Sequence, residues 1–200
     1  MLKDGSVNAA VVGALLLVCS TADANDVRSL RADSEFAAAE GAPLKSFPAL
    51  PSPSLAVPAD SRLAFYFDAV GVQIYACRAA TNGYAWSLQA PEASLFDSHG
   101  QLVIKHYAGP TWEWVSDHSQ VVAKKLAEFS AHTDAIPELL LQATAHEGKG
   151  RMADVSYIQR LHTAGGLAPS AGCDAAHVGT TKRVRYTASY FFSRRDAHPQ

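Results

Sequence analysis

The chain has 200 residues, with 17 basic and 19 acidic side chains and a formal charge of −2. That balance leaves no basic stripe, and the short "KRVR" at Lys182–Arg185 is too small to argue for a phosphate backbone, so nucleic acid is excluded as an expected partner. Hydrophobic residues make up 48% of the chain, enough for one domain with its own core.

The N-terminal segment does not read as part of the fold. Lys3 is followed by an apolar run from Ala9 to Cys19 and then by Ala22-Asp23-Ala24. Small residues at −3 and −1 predict signal-peptide cleavage after Ala24. The run is about 11 residues, whereas a membrane span needs about 20. A lipid anchor on Cys19 is the weaker alternative, because Val18 stands where a small residue is expected. Either route makes the mature protein secreted or periplasmic, with no transmembrane segment. Cys77 and Cys173 then remain, and an even count in an exported chain reads as a disulfide.

Residues 25–54 form an Ala- and Pro-rich arm ending near "FPALPSPSLAVPAD". A single domain is expected over 55–194, with a tail at 195–200. From Ser61 the hydrophobic period is two. Leu63, Phe65 and Phe67 share a face; Val70, Val72, Ile74 and Ala76 form another, with Gln73, Tyr75 and Cys77 opposite. In "QLVIKHY", Leu102, Ile104 and His106 fall together. In "RVRYTASYFF", Val184, Tyr186, Ala188, Tyr190 and Phe192 oppose Arg183, Arg185, Thr187 and Ser189. Shorter strands are expected around Tyr84–Leu88, Val121–Ala127, Leu139–Ala145 and Val155–Leu161. "QVVAKKLAEF" would also suit a short helix. Turn clusters such as "TNG", "APEA", "DSHG", "AGP" and "HEGKG" separate these runs. The fold class is therefore all-β: an antiparallel sandwich or barrel of about 8–10 short strands, with at most short helices and one disulfide.

The stretches "VGVQIYAC", "AWSLQAPEASLFDSHG", "HYAGPTWE", "VSYIQRLHTAGGLAPSAGCD" and "YTASYFF" occur in an order that resembles the secreted bacterial and fungal domain-of-unknown-function family 3455. The resemblance covers roughly Leu55 to Arg194, and both Cys77 and Cys173 lie inside matching motifs, which supports their pairing. It implies an exported compact domain and no particular activity. The chain departs from the family pattern at Glu138, where a tryptophan is usual, at His118 within "DHS", and at Arg185 and Ser189. Some members carry dehydrogenase-like labels. "GKGRMA" (Gly148–Ala153) fits G-x-G-x-x-A, but β-branched and aromatic "DVSYIQRL" follows where a helix should open. The match therefore reads as a Gly-rich hairpin turn, and no nucleotide cofactor is expected.

Seven residues carry the candidate chemistry. His106 shares an inward face with Leu102 and Ile104, near a strand end where a sandwich or barrel opens. It is either a hydrogen-bonded core histidine or a group lining a pocket, with Glu113 or Gln159 as partners. Trp112 and Trp114 share one side, as core or as a stacking platform. Glu113 points opposite, towards Tyr107. Arg160 suits a bidentate carboxylate contact, and Gln159 and Asp174 lie nearby in sequence. The other histidines lack metal-ligand spacing, and no metal is expected. The resulting expectation is a binding domain for a small molecule, a carbohydrate or an envelope protein, using His106, Tyr107, Trp112, Glu113, Gln159, Arg160 and Asp174. The alternatives are a cofactor-independent enzyme with His106 as general acid or base, and a structural protein with no pocket.

Overall fold

The computed structural model describes residues 48–196; the expected signal peptide, most of the expected arm and most of the expected tail lie outside the described residues. Eight antiparallel strands follow one another around a closed barrel, β1 to β8 in chain order, with β8 returning to β1. They are β1 (Ser61–Ala80), β2 (Gly83–Phe96), β3 (Leu102–Tyr107), β4 (Thr111–Trp114), β5 (Gln120–Phe129), β6 (Glu138–Glu147), β7 (Tyr157–Gly165) and β8 (Thr181–Arg195). Two short 3-10 turns, Pro53–Leu55 and Ala175–His177, are the helical elements among the described residues.

Three strands are much longer than the turn signals suggest. "APEA" does not break β2, because Pro91 pairs only with Gln73 of β1 and β3 joins from Ala93 onwards. Pro91 thus lies on a free edge, where its missing N–H removes no ladder bond. β5 is a strand throughout. Its register slips at Val122/Ala123 and again at Lys125/Ala127, and those two bulges blur the period of two.

The core fills the barrel. Leu95, Ile104, Trp112, Val121, Ile158, Tyr190 and Phe192 are buried inside, with Phe65, Phe67 and Trp114 closing one end. Such an interior is a packed core and not a channel. At the other end the chain before β6 meets the chain after β7. Ile136 N–H donates to Gly165 O at 2.9 Å. The Thr163 hydroxyl donates to Ile136 O at 2.6 Å, and Tyr75 OH donates to Gly166 O at 2.7 Å. Gly166 has φ +82, and a Cβ there would lie 2.8 Å from Tyr186 Cβ, so only glycine fits this plug.

A second, smaller cluster lies outside the barrel wall. Leu55 packs with Leu140, Tyr157, Leu161 and Phe191, and Leu50 and Val57 border it. The end of the Pro-rich arm is thereby held on the outer face of β6, β7 and β8. The Cys77–Cys173 disulfide joins residues 96 apart and fastens the loop after β7 to β1.

Candidate functional site

Strand alternation sorts the seven candidate residues into three places. His106, Trp112 and Arg160 belong to the barrel interior. Tyr107 and Glu113 stand together on the outer wall. Gln159 lies beneath the arm, and Asp174 lies in the disulfide loop.

His106 faces its β4 register partner Trp112. The two rings stack with centroids 4.1 Å apart and planes 8° from parallel, and Tyr190 meets the imidazole edge-on at 5.5 Å. Nδ1 lies 2.9 Å from Thr111 O. A carbonyl only accepts, so Nδ1 carries the proton and Nε2 keeps its lone pair. Only 3% of His106 is exposed. Burial lowers its pKa to about 3; the bond to Thr111 O opposes this, and the Arg160 charge adds to it. The imidazole is neutral near pH 7 and holds a proton too weakly for acid–base work there. The barrel end at which it sits is closed by the Ile136–Gly166 plug, which replaces the opening expected from the strand pattern.

Arg160 stands across from Tyr190 on β8 and donates from a guanidinium N–H to Pro137 O at 2.7 Å. Tyr186 and Tyr190 join their hydroxyls at 3.1 Å. Burial pushes the Tyr186 phenol far above its ordinary range. Gln73 is 2% exposed and its side chain packs beside Gly166, whereas Val70 is 60% exposed. Along this stretch of β1 the apolar residues point out and the polar ones point in, the reverse of a simple amphipathic strand.

On the outer wall, Tyr107 OH donates to Glu113 Oε2 at 2.8 Å, and His118 Nδ1 lies 3.0 Å from Glu113 Oε1. The His118 bond, then the Tyr107 bond, hold the Glu113 carboxyl below its usual range. Tyr107 is pushed up to about 12 by burial and by Glu113. Glu113 therefore serves Tyr107 and His118, on the opposite face of the sheet from His106. His118 adopts φ +56, a left-handed conformation that glycine would adopt at lower cost.

Gln159 donates to Leu55 O at 2.7 Å and ties the arm to β7. Asp174 accepts from Ala176 N–H at 2.9 Å and lies 2.7 Å from His177 Nδ1, capping a 3-10 turn. The His177 bond is the main reason its carboxyl sits below the usual range. "GKGRMA" lies in the β6–β7 connection. Two of its backbone amides are held by side chains of the same chain: Arg151 N–H donates to Asp117 Oδ2 at 2.8 Å and Met152 N–H to Ser119 Oγ at 3.0 Å. A Cβ at Gly150 would collide with the Asp117 carboxylate. Gly150 makes room for an acid from the same chain, which a pyrophosphate would have to displace.

A concavity lies outside the barrel, over β8, β1, β2 and β3. It is a cleft of about 580 Å³ lined by Val70, Val72, Glu92, Ser94, Lys105, Tyr107, Arg183 and Arg185, with Gly71, Ala93 and His106 at its floor. Arg183 pairs with Glu92 at 3.0 Å. The outward pair Arg183 and Arg185 was readable from alternation in β8. That Lys105 and Glu92 join them depends on register across four strands, which no local pattern carries.

Geometry of this kind defines a class: a disulfide-stapled, up-and-down eight-stranded β-barrel with a packed interior and a charged cleft on its wall. The chain belongs to the family described as "Protein of unknown function (DUF3455)", whose family model matches residues 58–194. No curated protein and no solved structure matches the chain.

Proposed function

We propose that this protein is an exported, non-catalytic binding domain that captures a small molecule or a sugar in the outer cleft. The observation that carries the reading is the cleft itself, about 580 Å³ with an apolar lining at Val70 and Val72 and charged groups at its margins. Apolar lining with a few placed polar groups is the usual make-up of a small-ligand site. Of the sequence-derived candidates, Tyr107 serves this site directly. Its ring stands at the margin, and its hydroxyl is anchored on Glu113. Trp112, Arg160 and the His106 ring act from within the barrel as the support of that wall. A Cys77–Cys173 bridge fits an oxidising compartment, and the predicted cut after Ala24 fits the same destination.

The test is a thermal-shift screen of oligosaccharides and organic acids against the wild type and Val70→Trp, which fills the cleft. At least one compound should stabilise the wild type saturably and lose its effect in the variant, while both proteins melt alike without ligand. Stabilisation that survives Val70→Trp would place binding elsewhere and overturn the reading. Mass spectrometry of the protein from its native host should find Asn25 at the N-terminus. Retained Met1 would remove the export half.

A further inference from the structure

We propose that the cleft takes a short acidic oligosaccharide, an elongated ligand with carboxylates towards both ends and apolar pyranose faces between them. This rests on the cleft being the binding site and adds the ligand class. The chemistry follows from where the charges stand. Arg185 lies on β8 and Lys105 on β3, with β1 and β2 between them. Three strand spacings put roughly 14 Å between their backbones. Their long side chains can close part of that distance, so acidic groups on one ligand could meet both cations only if they stand several ångströms apart.

Both cations are available. Among the described residues the ion pairs take Arg183 with Glu92 at 3.0 Å but leave Arg185 and Lys105 with no carboxylate within 4.0 Å. Glu113, the register partner of Lys105, feels the Lys105 charge but bonds through its oxygens to Tyr107 and His118. The chain as a whole carries −2, so this local excess of positive charge runs against the protein's overall balance. Between the cations lies an apolar strip of Val70 and Val72, with the Tyr107 ring at its margin. Sugar rings offer C–H faces to such a strip and carboxylates to guanidinium and ammonium groups. A single phosphate is too short to reach both ends. A neutral sugar leaves both cations without a partner.

Titration calorimetry with trigalacturonate, maltotriose and the linear dicarboxylate nonanedioate tests this on the wild type, Lys105→Gln, Arg185→Gln, Val70→Trp and the remote control Arg62→Gln. Trigalacturonate should bind saturably and weaken with added salt. It should lose about ten-fold in affinity in each of the two cleft charge variants, the scale of one charge-assisted hydrogen bond. It should be unaffected by Arg62→Gln, and maltotriose should not bind. Maltotriose binding that Val70→Trp abolishes and the charge variants leave alone would keep the cleft and overturn the acidic class. Nonanedioate binding more tightly than trigalacturonate would overturn the sugar and keep the paired charges. Trigalacturonate binding that persists in Val70→Trp would overturn both the class and the cleft, and no binding of any probe would overturn the proposal.

Discussion

Replacing His106 by glutamine should make the protein less stable at neutral pH and more stable than the wild type in acid. The imidazole is sealed between Trp112 and Tyr190, and its pKa in the fold is about 3 against an ordinary 6.5. The unfolded chain therefore binds a proton between pH 6.5 and 3 that the folded chain refuses. Folded-state pKa is depressed, so for a histidine stability is lost as pH falls through this window. The loss runs at about 1.4 kcal/mol per pH unit once below 6.5, or about 2–3 kcal/mol between pH 7 and pH 4.5. Glutamine does not titrate. At pH 7 it forfeits the bond to Thr111 O and the stacking, about 1–2 kcal/mol. The two stability curves should cross near roughly pH 5. Urea melts of both proteins at pH 7, 5.5 and 4.5 measure the difference, in which every other titrating group cancels. A deficit that stays constant across the series would mean that the imidazole charges freely in the fold, and the sealed-core assignment would fall.

Four further outcomes follow from the same geometry. Trp112→Ala removes a side chain only 1% exposed, and should cost about 3–5 kcal/mol in a denaturant melt, whereas Leu88→Ala at an exposed position should change little. Paired replacement of Cys77 and Cys173 by serine reopens a link between residues 96 apart and should cost up to about 4–5 kcal/mol in the chain-entropy model, read as a lower Tm. Asp117→Ala should cost about 1–3 kcal/mol, because it leaves the Arg151 and Ser119 amides without their acceptor. Millimolar NAD should leave the wild-type Tm unchanged, and a saturable rise would refute the reading of "GKGRMA" as a self-occupied turn.

Much of the architecture was legible because inward residues repeat every second position in β3 and β8. Ile104 and His106, and Tyr186, Ala188, Tyr190 and Phe192, point inward as that pattern requires. Closure of the sheet was not legible, since it rests on β8 pairing with β1 far away in sequence. Local pattern also misled within β1. Val70 and Val72 look like core but face the cleft, while Gln73 faces the plug formed by Ile136 and Gly166. Gln73 is held there by packing beside Gly166 and not by a polar contact, since its Nε2 has no hydrogen-bond partner among the described residues. The same limits apply to the site. Alternation separates His106 from Glu113 correctly. It says nothing of Gln159, which is buried only because the arm folds back and places Leu55 O against it.

The measurement that bears most directly on the binding reading is a backbone amide NMR titration of the wild type with trigalacturonate. Saturable shifts confined to residues 70–72, 92–94, 105–107 and 183–185 are the predicted result. Shifts centred instead on the Trp86 and Cys173 end, or on the arm around Leu50 and Val57, would contradict it, as would a spectrum that does not change.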